Sequence, residues 1–289
     1  MEVLHMSNIL IVTDSTICMT VEQAKAAGIE MVPLSVLVDG QEYRDQVNLS
    51  SAELVAKLRA KSVPKTAQPN LGLLDELMKQ WKTENYDHII VFALSAHLSG
   101  TYQAFRLAAT ENDMRNLTLI DSLTLASPLR HVSLRAVDMV KAGATVDEIL
   151  AMAKSVFDDT VSYIYPENLD QLNRSGRVSN GVTLLSSLLK IKPVLVLENA
   201  GIKIDKLGTA RTETKVFDMI VEDLKKNNIS KDTHKLYLLH CEALDTANRA
   251  KDALIAALGN VTIEILELPA VLAAHAGLGT IAIQAARLV

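Results

Sequence analysis

The chain has 289 residues, 49% of them hydrophobic and 22% charged, values that exclude a disordered or low-complexity protein. With 29 Lys and Arg against 34 Asp and Glu, the net charge is −5, which excludes the basic face that non-specific nucleic-acid binding needs. Two cysteines, Cys18 and Cys241, are too few for a disulfide framework or a zinc site, and the 4% aromatic content demands an aliphatic core. The length is about twice the ~150 residues of a typical domain, so two domains are expected. No apolar run reaches the ~18 residues of a membrane-spanning helix. Met1 to Met6 is too short and polar for a signal peptide. Free thiols fit a reducing, cytoplasmic location.

Ile9 to Val12 reads as a buried parallel strand, closed by Thr13-Asp14-Ser15-Thr16. Thr20 with Gln23 forms a capping box for a short helix ending at Gly28. Val32 to Val38 is expected to be a second strand, turned by Asp39-Gly40. Ser50 and Glu53 cap a helix with Leu54, Val55 and Leu58 on one face. The stretch from Val63 to Asn70, bracketed by Pro64 and Pro69, reads as an ordered loop, followed by a helix from Leu71 to Trp81. Ile89 to Leu94 is a strand whose outgoing loop runs from Ser95 to Thr101, with a helix from Tyr102. Leu117 to Ser122 repeats the strand-then-Asp-Ser pattern of Asp14-Ser15. Helices follow over 128–141 and 146–157. Strands alternating with helices predict an α/β fold, a mostly parallel sheet covered on both faces.

The second half reads as α+β, with a boundary near 158–162 and hence domains of 7–158 and 159–289. Thr160 to Tyr165 is a strand, and 169–178 is a polar, basic segment. Leu184 to Leu189 reads as helical. A hairpin joins Val194–Glu198 to Ile202–Leu207 through Asn199-Ala200-Gly201. A helix to Lys226, a strand over 235–240, a helix over 245–258 and a strand over 261–266 come next. Thr280 to Val289 is a final strand, placed to pack back toward the ligand site.

No G-x-S-x-G, H-E-x-x-H or Walker A pattern is present. Gly277 to Ala282 matches G-x-G-x-x-A, but too few residues follow for the helix and acidic residue of a dinucleotide site. The hydroxyl-rich loops say more. Thr66 lies in the proline-braced loop, while Ser95, Ser99 and Thr101 cluster where a strand gives way to a helix, beyond the carboxyl end of which open sheets bind ligands. These hydroxyls suit a single carboxylate; Ser99 and Thr101 also read as helix caps. His275, among small residues, is either a structural histidine or a donor to a carboxylate. Arg174, Arg177 and Arg211 lie near glycine-containing loops, either as solvated charges or as anion contacts.

Several segments together resemble the DegV family of bacterial fatty acid-binding proteins. They are Val12-Thr13-Asp14-Ser15-Thr16, Val32-Pro33-Leu34, Asp45-Gln46-Val47, Thr66-Ala67-Gln68-Pro69 and Leu98-Ser99-Gly100-Thr101-Tyr102-Gln103. Further along come Ile120-Asp121-Ser122, Gly176-Arg177-Val178-Ser179, Lys190-Ile191-Lys192-Pro193, Ala210-Arg211-Thr212 and Ala274-His275-Ala276-Gly277. The chain departs from the family's pattern at Ala67, Ala96 and Ser175, and the first two lose hydroxyls that the family carries. The resemblance implies a long-chain fatty acid in a buried tunnel between two α/β domains, its carboxylate on Thr66 and Ser99, with His275 nearby. It also implies that the chain is a carrier rather than an enzyme and presents the acid to a separate fatty-acid kinase that makes the acyl phosphate. Arg177 and Arg211 would then face the kinase or the phosphate at the tunnel mouth. A transient contact with a membrane surface is a further expectation, and no cofactor, metal or nucleic acid is expected. The alternatives are a serine hydrolase or acyltransferase using Ser99 with His275 as base, and a phosphate or nucleotide binder.

Overall fold

A computed structural model of the chain describes residues 8–185, 191–198 and 201–289. The expectations for Met1 to Met6, for the helix beyond Leu185, for Lys190 and for the turn at Asn199-Ala200 lie outside the described residues.

The first half contains β1 (Ile9–Asp14), α1 (Val21–Ala27), β2 (Ile29–Val32), β3 (Ser35–Val38), β4 (Gln41–Arg44), α2 (Ser51–Arg59) and β5 (Lys65–Ala67). It continues with α3 (Leu71–Thr83), β6 (His88–Ala93), α4 (Thr101–Glu111), β7 (Leu117–Asp121), α5 (Ser127–Lys141) and α6 (Val146–Phe157). Four strands form a parallel sheet in the order β2-β1-β6-β7. Its strands are nearly continuous apolar runs because both faces are covered. Val12, Val91 and Ala93 pack on Leu74, Met78, Trp81 and Phe105 of α3 and α4. Ile11, Ile90 and Phe92 pack on Leu129, Val132, Ala136 and Ile149 of α5 and α6. Both capping boxes, Thr20/Gln23 and Ser50/Glu53, are formed as their spacing predicts.

Two local expectations need correction. Val32 to Val38 is not one strand. Pro33 lacks the N–H that a ladder needs, and the chain changes sheets there. β2 stays in the parallel sheet, while β3 joins an antiparallel sheet in the order β4-β3-β5. The proline-braced segment is correspondingly more than a loop, since Lys65–Ala67 is an edge strand that places Thr66 opposite Val36.

The second half contains β8 (Val161–Tyr165), α7 (Asp170–Ser175), α8 (Asn180–Leu185), β9 (Lys192–Glu198), β10 (Lys203–Ala210) and α9 (Glu213–Lys226). β11 (His234–His240), α10 (Leu244–Leu258), β12 (Ile263–Glu267), α11 (Ala270–Ala276) and β13 (Ile281–Arg287) complete it. Six strands make a mixed sheet, β10-β9-β8-β13-β11-β12, in which only β11 and β12 pair in parallel. Arg174 lies on α7, not in a loop, and α11 appears where no helix is expected. One face of this sheet is covered by Val216, Phe217, Ile220 and Leu224 of α9 with Ala247, Ala250 and Leu254 of α10. Its other face contributes Tyr237, Leu239, Ala282 and Ala286 to the same core that α5 and α6 share with the parallel sheet. Helices α5 and α6 are thus buried between two sheets.

Candidate functional site

The loops after β1 and β6, the edge strand β5, and one face of the six-stranded sheet converge on an apolar cavity of about 930 Å³ of space between atoms, its open mouth included. Leu34, Leu94, Leu98, Leu125, Ile164, Leu197, Ile204, Leu239, Leu268, Val271 and Leu272 line it. The site lies beyond the carboxyl ends of parallel strands, where such sheets bind ligands. Of the five residues to which the resemblance gives a role, four line this cavity: Thr66, Ser99, Arg177 and His275.

His275 is on the last turn of α11 and its Nε2 lies 2.7 Å from Thr66 Oγ1 on β5. It is half-buried and lines the cavity. Desolvation first, and the Arg177 charge second, push the imidazole down to about 4, so it is neutral at pH 7. In the tautomer with hydrogen on Nε2, His275 donates to Thr66, and the Thr66 hydroxyl proton is free for a ligand.

Ser99 pairs with Thr101 Oγ1 at 2.9 Å and accepts from the Thr101 N–H at 3.3 Å, at the start of α4. The N-cap position of α4 is Gly100, without a side-chain cap, so Ser99 satisfies the first helical N–H from one residue before the cap and lines the cavity at once. Gly100 packs against the Gln68 side chain, whose Oε1 would lie 2.1 Å from a Cβ there, so a larger residue would displace the Gln68 amide. The imidazole bonds Thr66, not Ser99, and no carboxylate bonds its second nitrogen among the described residues. A serine–histidine nucleophile pair is not assembled in this geometry.

Two aspartates brace the loop that carries Ser99. Asp14, fully buried, accepts from the Leu94 N–H at 2.7 Å and the Thr16 N–H at 3.0 Å. Desolvation raises its pKa, while the bonds from Thr16 and Leu94 act against that rise. Asp121 accepts from the Ala96 N–H at 3.2 Å. The repeated Asp-Ser pattern after two strands was the visible signal of this bracing. Ser95 is drawn elsewhere, donating to the Gly201 carbonyl at 2.7 Å and so tying the β9–β10 turn to the same loop.

Arg177 follows α7 and its Gly176 cap, exposed at the mouth. Its Nε donates to Leu98 O at 3.3 Å and its Nη1 to Ser175 O. Outside the mouth, Arg177 and Lys203 border a polar surface cleft together with residues 96–100. Arg211 is not part of this group. It is exposed just past β10, whose other end carries Lys203, roughly 25 Å along the strand at ~3.3 Å per residue. Gly277 to Ala282 is the turn from α11 into β13, a strand, so the helix a dinucleotide site requires is absent there. Among the described residues no group of three His, Cys, Asp or Glu could hold a metal, and no helix is long and apolar enough to cross a membrane.

A family model described as uncharacterised protein, DegV family, matches residues 8–288. The chain belongs to the DegV family. A DegV domain-containing protein of Streptococcus pyogenes serotype M3 is 31% identical over 273 residues, covering 94% of this chain and 96% of the relative. One from Halalkalibacterium halodurans is 31% identical over 277 residues, covering 96% of this chain and 97% of its own. Among solved structures, a fatty acid-binding DegV family protein from Thermus thermophilus superposes with a TM-score of 0.87 at 28% identity, covering 97% of this chain and 100% of the other. DegV of Bacillus subtilis, described as a fatty acid binding protein, superposes at 0.84 with 26% identity, covering 98% of this chain and 100% of its own. The DegV-family segments 12–16, 32–34, 66–69, 98–103, 176–179 and 274–277 all contribute lining to the cavity.

Proposed function

We propose that this chain binds one long-chain fatty acid in the cavity, its carboxylate held by Thr66 and Ser99 with His275 behind Thr66. The observation that carries the reading is a mostly apolar cavity into whose lining the Thr66–His275 pair and the Ser99 hydroxyl are set. Each buried methylene contributes about 0.8 kcal/mol, so ~15 of them give a gross gain of roughly 12 kcal/mol before ordering costs. A buried carboxylate needs hydrogen-bond donors, and two hydroxyls beside the N-terminus of α4 supply them. The fatty acid-binding structures named above support the same ligand class.

The role that follows is a carrier, which presents the acid to a separate fatty-acid kinase for conversion to the acyl phosphate. Arg177 supports it, as a cation standing between the cavity mouth and the outer cleft, where an incoming phosphoryl group would need positive charge. Arg211 belongs to that role only if the kinase footprint reaches the far end of β10. Lipid extraction and native mass spectrometry test the reading: about one acyl species per chain is expected. Absence of any acyl species, with octadecanoate or oleate failing to raise the melting temperature, would overturn it. Ligand at 100 times its Kd should stabilise by ~2.7 kcal/mol.

A further inference from the structure

The cavity is polar in a second place, away from the head-group end. Thr280, Ala282 and Gln284 line it at alternate residues, so one face of β13 forms a wall. Across the ladder Ile164 faces Ala282 and Ser162 faces Gln284, and both β8 residues line the cavity too. Thr280 donates to the carbonyl of Ala276, next to His275, at 2.7 Å and so marks the head-group end. Gln284 is four residues further on, roughly 13 Å. An extended chain of ~1.5 Å carbon–carbon bonds crosses that distance in about ten carbons.

Gln284 is 2% and Ser162 4% exposed. Backbone groups fix the orientation of the Gln284 amide. The Ser127 N–H donates to Oε1 at 3.0 Å, and Nε2 donates to Leu125 O at 3.1 Å. The Ser127 hydroxyl also donates to Oε1. The remaining Nε2 proton goes to Ser162 Oγ at 2.9 Å. Ser162 must accept there, and its own hydroxyl proton has no acceptor among the described residues. A buried donor without an acceptor is a standing cost, which a methylene chain leaves in place and a ligand oxygen would remove.

We propose that Ser162, locked by Gln284, is a second subsite that selects acyl chains carrying an acceptor oxygen, keto or hydroxyl, near the middle of the chain. This rests on the fatty-acid reading above and deepens it from a ligand class to a particular kind of acyl chain. A keto oxygen is the simplest match, because one donor satisfies it and it brings no proton of its own.

Competition between octadecanoate and 10-oxo- or 12-oxooctadecanoate for the full chain, read by native mass spectrometry, tests the proposal. At least one keto acid is expected to win by about 3- to 10-fold, the size of one neutral hydrogen bond. Ser162→Ala should bring that ratio to one or below with octadecanoate still bound, and Ser162→Thr should keep it. The wild-type ratio decides even if the alanine variant folds poorly. Octadecanoate bound, with neither keto acid preferred, would overturn the subsite and leave the fatty-acid reading standing. No occupancy by any of the three acids would overturn both.

Discussion

Thr66→Val is the cleanest perturbation of the head-group end. Valine keeps the β-branched shape that the edge strand opposite Val36 accommodates, and removes only the Oγ1 that lies 2.7 Å from His275 Nε2. A hydrogen bond to a charged group contributes ~1.5–3 kcal/mol, so fatty-acid affinity should fall roughly 10- to 150-fold. The fold should lose only about 1 kcal/mol, from an imidazole nitrogen that keeps access to the cavity. Ser99→Ala should weaken binding over the same range. It should also cost the fold ~1 kcal/mol, because Ser99 accepts from the Thr101 N–H at the start of α4. The double variant should lose less than the sum, since the carboxylate can then protonate or recruit water. Displacement of a fluorescent fatty acid gives the affinities, and thermal melts of ligand-free protein give the fold cost. If Ser99 is only a cap, its variant melts earlier at unchanged affinity. Unchanged affinity in both single variants, each normally folded, refutes the carboxylate clamp.

Arg177→Ala should slow acyl-phosphate formation in a coupled kinase assay several-fold more than it weakens fatty-acid binding, because the guanidinium stands at the mouth rather than along the acyl wall. Arg211→Ala should leave affinity unchanged, and a loss as large as that of Thr66→Val would place Arg211 in the pocket after all. Gly201 has φ +76°, and a Cβ there would lie 1.8 Å from Leu123 O, so Gly201→Ala should release the β9–β10 turn from Ser95 and cost at least ~1–3 kcal/mol in urea melts. The His275 imidazole, held at about 4 against the usual 6.5, makes the unfolded chain bind more protons between those values. Ligand-free stability should therefore fall as pH drops from 6.5 toward 4, by about 3 kcal/mol at most, and His275→Gln should flatten that limb. Asp45 acts with the opposite sign: burial pushes its carboxyl up to about 7, so its contribution is full below the ordinary value of 3.8 and is lost as pH rises through 7. Asp45→Asn keeps an oxygen for the Val271 N–H and should gain stability at pH 8 relative to pH 5, whereas an equal effect at both would show that the carboxyl ionises freely.

How far the fold was legible depended on whether the signal was local. Thr20/Gln23 and Ser50/Glu53 announce helix starts because a capping box is complete within four residues. The apolar run 89–94 announces a strand covered on both faces. Helix α11 gave no such signal. Its seven residues are nearly all small and apolar, because it is buried between α2, α7 and the edge sheet, and a helix buried all round has no amphipathic period to read. The break at Pro33 was visible as a residue without an N–H, but the sheet that β3 would join was not.

The site followed the same division. Ser99 reaches the cavity as the rule for loops beyond the carboxyl ends of parallel strands expects, whereas Thr66 reaches it from β5, an edge strand of the antiparallel sheet that this rule does not cover. Arg177 and Arg211 look alike in sequence, each close to a glycine. What separates them is which end of β10 each lies near, and that depends on strand length and hairpin register. Ser162 is harder still. A lone serine in a strand carries no message until the register of β8 against β13 sets it opposite Gln284, and until the backbone of Ser127 and Leu125 fixes which way that amide points. The proposed head-group residues, Ser99 on the loop after β6, Thr66 on β5 and His275 on α11, are brought together by the topology. The contact that would sort one acyl chain from another lies on the sheet wall, where pairing between residues 122 positions apart decides which atoms meet the ligand.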